Sequence, residues 1–208
     1  MVTEMKTVYC QMLLTGFLPN LFTYNTKINS SCKLGDISNA MIYLGHLVRA
    51  GFDLDTFTFN SLMLGYCRRN DIDRAGMVSE TMLRKSCKRD VYSYTILIDG
   101  LLKAFKVEEA LKLLSEMEYD GCSPNSNTYT VLIDGLCKMS MYEKAENILT
   151  DLANNGLASS VIPYNALVNG YCKGGRVNDA LRILGENVLN DIIPLLKLWK
   201  ASSSSSLD

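Results

Sequence analysis

The 208-residue chain is poor in the residues that most chemistry and most targeting devices need: it has one histidine, one tryptophan and four prolines. A single histidine, His46, removes the raw material for most His-based acid–base catalysis and for Cys/His zinc sites. No CxxC pair occurs among the seven cysteines, and an odd count without a secretory leader argues for a reducing compartment rather than a disulfide framework. No apolar run reaches the roughly 18 residues of a membrane span. With a formal net charge of −1 the chain exerts no bulk pull on nucleic acid, so any such binding has to come from locally arranged groups. The opening Met1-Val-Thr-Glu-Met-Lys reads neither as a signal peptide nor as an Arg- and Ser-rich transit peptide. What is present, 48% hydrophobic and 21% charged residues, is the composition of an ordinary folded protein.

A repeat organises these residues. Cys32 and Cys67 are 35 residues apart, and so are Cys137 and Cys172. Ala40, Ala75, Ala110, Ala145 and Ala180 keep the same spacing without a gap, as do the aromatics Tyr24, Phe59, Tyr94, Tyr129 and Tyr164. The basic residues Lys33, Arg68, Lys103, Lys138 and Lys173 form another such series. Within the unit 91–125, Tyr94, Leu97, Ile98 and Leu101 fall at i, i+3, i+4 and i+7, and Val107, Ala110, Leu111 and Leu114 repeat the pattern. Each unit is therefore predicted to be two amphipathic helices. Ser93, with Thr23, Thr58 and Thr128 in other units, is the expected N-cap of the first helix. Glu108 and Glu109 favour the start of the second helix, and Gly121 and Pro124 end it, with Gly51 and Gly156 at the same place elsewhere. So short a hairpin cannot bury both stripes alone. The predicted fold is all-α, an α-solenoid of stacked antiparallel helix-turn-helix units with a concave face.

The segments Phe22-Thr-Tyr-Asn-Thr-Lys-Ile, Tyr92-Ser-Tyr-Thr-Ile-Leu-Ile-Asp-Gly-Leu and Tyr164-Asn-Ala-Leu-Val-Asn-Gly-Tyr-Cys-Lys-Gly-Gly-Arg-Val-Asn-Asp-Ala-Leu resemble pentatricopeptide repeats. The uninterrupted 35-residue period resembles the P-type subclass. Five units are expected at 21–55, 56–90, 91–125, 126–160 and 161–195, preceded by a partial unit at 1–20. The resemblance implies single-stranded RNA as partner, with no cofactor, metal, membrane or small-molecule substrate, and about one base read per repeat by two or three side chains. In this family the reading pair is the fifth and last residues of a unit. Carried over, the pairs are Asn25 with Asp55, Asn60 with Asp90, Thr95 with Asn125, Thr130 with Ser160, and Asn165 with Leu195. Asn with Asp implies U, and Thr with Asn implies A. An ionised Asp can only accept and suits the ring N–H of U, whereas Asn can donate to the ring nitrogen of A. Thr130 leans toward a purine and Asn165 toward a pyrimidine, while Ser160 and Leu195 add little. With the N-terminal unit at the 5′ end, the expected core is U-U-A, then a weak purine and a weak pyrimidine.

Each assignment has a structural alternative. A fifth-place Asn or Thr could be only a polar first-turn residue, although Asn25, Asn60, Thr95, Thr130 and Asn165 together make a polar series beside apolar stripes. The second residues Phe22, Phe57, Tyr92, Asn127 and Ile162 either pack on bases or staple the helix entry; the first three favour bases and Asn127 the staple. Lys33, Arg68, Lys103, Lys138 and Lys173 either meet phosphates or answer the helix C-terminal dipole. The periodic cysteines read as small core residues, and His46 has no recurring counterpart.

No enzyme is expected. Asp99 and Asp134 are repeat-equivalent rather than a metal pair, Gly174-Gly175 is a helix–helix turn, and a deaminase zinc signature is missing. The family resemblance implies a plant mitochondrial or chloroplast role in transcript stabilisation or processing. The alternative is a helical scaffold for a protein or peptide. Met1 falls mid-unit, and at the far end residues 196–208, with Trp199 and the Ser202 to Ser206 run, read as a degenerate, disordered tail. Both features lead to the expectation of a fragment or truncated product.

Overall fold

A computed structural model describes residues 11–12, 14–154 and 161–185. Nine helices are delimited among them: α1 Leu21–Lys33, α2 Ile37–Arg49, α3 Thr56–Arg68, α4 Ile72–Arg84, α5 Val91–Lys103, α6 Val107–Tyr119, α7 Ser126–Lys138, α8 Tyr142–Asn154 and α9 Val161–Lys173. Residues 177–185 are helical as well, and the described residues include no strand. The fold class is that of an all-α helical-repeat solenoid. Partial unit 1–20 is described only from residue 11, and Gly156, Ser160, Leu195 and the tail 196–208 lie outside the described residues.

The chain forms two compact units, one running to Pro124 and the other starting at Asn125. In the first, α1 packs on α2, α3 on α4 and α5 on α6, while α1 also packs on α3 and α3 on α5. In the second, α7 packs on α8 and on α9. Within each compact unit, successive odd-numbered helices thus pack on one another as well as on their hairpin partners, which is how stripes too large for one hairpin become buried. The core clusters cross the hairpins accordingly. Leu62 joins Tyr24, Ile28, Ala40 and Leu47, and Ile96 and Leu97 join Phe59, Met63, Ala75 and Met82. All five repeating alanines are buried, because only a methyl group fits where paired helices approach.

The helix starts differ from the sequence reading. Thr23, Thr58, Ser93 and Thr128 are not the caps but stand three residues further on; the caps are Asn20, Asp55, Asp90 and Asn125, whose side-chain oxygens accept from the backbone N–H of those four residues. An Asx side chain satisfies the orphan donor of the first turn better placed than the hydroxyl, which instead folds back onto the cap. At Asp90 the exchange is reciprocal, since Ser93 Oγ also accepts from the Asp90 backbone N–H at 3.2 Å.

Close approach of successive odd-numbered helices needs glycine. A Cβ on Gly100 would stand 2.5 Å from Cys67 Sγ and 2.9 Å from Ile72 Cδ1. Gly65 faces Cys32, and Gly170 faces Cys137, in the same way. Cys32, Cys67 and Cys137 therefore fill a space that glycine leaves in the following helix, whereas Cys172 is exposed. Burial pushes the Cys32 and Cys67 thiols up to about 12 and Cys137 to about 11, so they are inert packing groups.

Candidate nucleic-acid interface

The first turns of α1, α3, α5, α7 and α9 carry the candidate reading residues. Asn25, Asn60 and Thr95 are buried, Thr130 is half-buried and Asn165 is exposed. A buried amide is costly unless its donor and acceptor are both engaged. Asn25 Nδ2 donates to Asp55 Oδ2 at 2.8 Å, and Asn25 Oδ1 accepts from the Thr58 hydroxyl at 2.6 Å. Asn60 repeats the arrangement one unit on: Nδ2 donates to Asp90 Oδ1 at 3.2 Å, and Oδ1 accepts from the Ser93 hydroxyl at 2.6 Å. The fifth and last residues of a unit, 30 apart in sequence, are thus hydrogen-bonded to each other at both Asn–Asp sites.

The last residues do two jobs at once. Asp55 Oδ1 caps α3 through the Thr58 N–H at 2.8 Å while Oδ2 takes the Asn25 amide. Asp90 Oδ1 accepts from the Ser93 N–H at 2.7 Å and lies 2.8 Å from the Ser93 hydroxyl, whose single hydrogen it shares with Asn60 Oδ1. Burial pushes the Asp90 carboxyl up, but the Ser93 N–H and hydroxyl, the Asn60 amide and its own backbone N–H outweigh it and hold the pKa below the ordinary carboxylate value. Asn125 caps α7 with Oδ1, which accepts from the Thr128 N–H at 3.0 Å, so the cap uses the oxygen and not the amide nitrogen. The hydroxyls of Thr95 and Thr130 each donate at 2.7 Å to the carbonyl four residues back, Val91 and Ser126.

Beside these pairs the second residues stand in the open. Phe22, Phe57 and Tyr92 are 77%, 50% and 53% exposed, and Asn127 and Ile162 are exposed too. A staple contact would bury them, so helix entry is not what holds these side chains. The basic series occupies the last residue of each of these helices: Lys33, Arg68, Lys103, Lys138 and Lys173. Second, fifth and thirteenth residues lie at i, i+3 and i+11, on one helix face. Lys103 and Lys138 pair with Asp99 and Asp134 at 2.5 Å, one turn back, and Arg68 reaches the carbonyl of Lys33. Asp99 and Asp134 are thereby lysine partners. Among the described residues no group of three or more His, Cys, Asp or Glu side chains could hold a metal ion, and no helix is long and apolar enough to cross a membrane.

The hydroxyls of Thr58 and Ser93 are the site members that sequence reading misplaced, as caps rather than as partners of the preceding unit's Asn. Their signal was a small hydroxyl residue at the third place of units 56–90 and 91–125.

The PPR repeat family model matches residues 54–103 and 97–138, and further PPR repeat models match 22–52, 127–157 and 155–186. The chain belongs to the pentatricopeptide repeat family. Among solved structures it is similar to the pentatricopeptide repeat protein PPR10 in complex with an 18-nt psaJ RNA element, at 28% identity and a TM-score of 0.79 over 86% of this chain and 26% of that one. PPR10 from maize matches at 29% identity and a TM-score of 0.70, over 89% of this chain and again 26% of that one. This chain therefore spans about a quarter of the length of that relative. The PPR domain of Arabidopsis thaliana protein-only RNase P 1, in complex with tRNA, shares the fold at 17% identity and a TM-score of 0.59, over 85% of this chain and 96% of that domain. Comparison with curated proteins returned no match.

Proposed function

We propose that this pentatricopeptide array binds single-stranded RNA in a sequence-selective way, about one base per repeat, without catalysing a reaction. The observation that carries the reading is the linked pair of fifth and last residues, Asn25 with Asp55 and Asn60 with Asp90, set beside the exposed rings of Phe22 and Phe57. Each pair offers an amide donor and a carboxylate acceptor together, which matches the adjacent carbonyl and ring N–H of uracil. The rings, with Tyr92, give base faces a surface worth ~1–3 kcal/mol per stacked base. By place in the repeat, Thr95 with Asn125 is the third reading pair, proposed from sequence position alone. The amide nitrogen of Asn125, which the cap does not use, is suited to donate to the ring nitrogen of adenine. Thr130, whose hydrogen is committed to Ser126, would accept there from the exocyclic amine of a purine. Asn165 reads the fifth base weakly, and Ser160 contributes little.

Lys33, Arg68, Lys103, Lys138 and Lys173 would meet phosphates along the same helix faces. The Asp99 and Asp134 pairs are no obstacle, because exposed ion pairs are worth about 0–1 kcal/mol and exchange readily. The similarity to PPR10, whose structure contains RNA, supports the partner class. A role in organellar transcript stabilisation or processing, in mitochondrion or chloroplast, follows from family membership as part of the same proposal. Selection from a random RNA pool tests the reading. Enrichment of U-U-A in the 5′ to 3′ sense supports it; no enrichment would favour a protein-binding scaffold instead.

A further inference from the structure

The hydrogen bonds around Asn25 and Asn60 contain a third partner that the pairwise reading does not use. Thr58 and Ser93 are fully buried, and each sends its hydroxyl to the Oδ1 of the Asn in the preceding unit, at 2.6 Å in both cases. We propose that this hydroxyl, at the third place of the following unit, is a specificity-determining positioning residue: it fixes which end of the fifth-place amide faces the base.

An Asn side chain has two orientations about its last torsion that fit the same space and exchange donor for acceptor. The carboxylate of Asp55 can only accept and therefore faces Nδ2, while the hydroxyl of Thr58 donates and faces Oδ1. Both partners select the same orientation. One hydrogen of Nδ2 is spent on Asp55, leaving the second as what the Asn presents. A donor there suits a carbonyl of uracil and opposes the exocyclic amine that cytosine carries at the fourth ring position. Removing the hydroxyl strands Oδ1 in a buried place; the amide can turn only by giving up its bond to Asp55, so the two orientations come closer in free energy and the one that presents an acceptor to cytosine's amine gains population. The Thr58 oxygen also lies 2.7 Å from Asp55 Oδ1, so cap, carboxylate and amide share one hydrogen-bond system. Ser93 does the same with Asp90 at 2.8 Å, so the device occurs twice.

This inference rests on the RNA-binding reading and its reading pairs, and the test separates the two. Dissociation constants are measured for the full chain, unsubstituted and as Thr58→Val, Thr58→Ser and Ser93→Ala, against RNAs carrying U or C opposite the first and the second unit. Thr58→Val keeps the shape and the backbone cap to Asp55. It should cut the U-over-C ratio at the first position on the order of 10-fold and leave the second position's ratio intact. Ser93→Ala should do the converse, and Thr58→Ser should retain the unsubstituted ratio. A merely structural role would weaken all four RNAs together without changing either ratio. If the unsubstituted chain prefers U at both places and Thr58→Val still does, the hydroxyl assignment is overturned while RNA reading stands. If the unsubstituted chain shows no preference at either place, the reading pairs themselves fail and the hydroxyl assignment falls with them. Helical circular dichroism checks folding, and Ser93→Ala carries the same test at the second unit should Thr58→Val not fold.

Discussion

Asn25 and Asp55 are 30 residues apart, yet the amide of one donates to the carboxylate of the other at 2.8 Å while that carboxylate's second oxygen caps the next helix at Thr58. The residue proposed to read a base is therefore also the start signal of a helix. Substitutions at the last place of a unit must preserve an Asx acceptor, and this decides which exchanges are clean tests.

Asn60→Thr with Asp90→Asn is one such exchange, because Asn still caps α5. It should move the second unit from U toward A by ~10-fold or more, taking about 1–3 kcal/mol for a mismatched contact by analogy with groove readout. Competition between RNAs differing at that base measures it. Retained preference for U would show that the pair does not read the base.

Arg68→Ala separates charge from code. If Arg68 meets a phosphate, the variant should weaken every single-stranded RNA alike and make the salt dependence shallower by about 0.7 in slope. Titrations at several salt concentrations give the slope directly. An unchanged slope would leave Arg68 only its bond to the Lys33 carbonyl.

Asp90 gives a pH signature. Its folded pKa lies below the ordinary value of 3.8, so its carboxylate adds stability that is fully present above that value and is lost as pH falls through the lower folded one. Urea denaturation across the acid range should show stability rising with pH. Asp90→Asn, which still caps α5 but cannot titrate, should flatten that rise; an equally steep profile would assign it to other carboxyls.

Phe105 follows α5 with φ +61° and is 77% exposed, where Gly35 and Gly175 hold φ +75° and +72° at the same place in other units. A bulky side chain is disfavoured in the left-handed region. Phe105→Gly should therefore stabilise the chain by about 0.5–1 kcal/mol, the strain relieved slightly exceeding the added freedom of the unfolded glycine. Thermal denaturation checks it, and a lower midpoint would mean that the ring makes a contact worth more than the strain.

Gly100→Ala should cost about 1–3 kcal/mol by forcing Cys67 and Ile72 away. Cys67→Ala in the same chain should return part of that loss, so the two substitutions are not additive. Equilibrium unfolding of the single and double variants measures the coupling, and simple additivity would mean that Gly100 and Cys67 do not control each other.

The helices were legible because their signal is periodic: Tyr94, Leu97, Ile98 and Leu101 are all buried, as are all five alanines. The caps were not, because Ser93 sits directly before its apolar stripe and so masks Asp90 three residues upstream. The partners of the reading residues were legible only through family resemblance. The bond from Thr58 to Asn25 joins residues 33 apart in different repeats, and no local periodicity marks it. Burial of Asn25 and Asn60 was equally hidden, since a polar residue in a first turn looks solvent-facing until its hydrogen-bond partners from the next unit are in place.

The fit of Cys32 against Gly65, Cys67 against Gly100 and Cys137 against Gly170 also fixes what can be exchanged as a block. A module excised at the unit boundary carries a glycine matched to the cysteine it leaves behind and a cysteine that needs a glycine from its new neighbour. Grafted beside a unit with alanine at that place, it would meet a steric clash however well its own two helices fold. Recombination between such repeats, natural or engineered, is therefore confined to partners that share the same small-residue grammar at the seam.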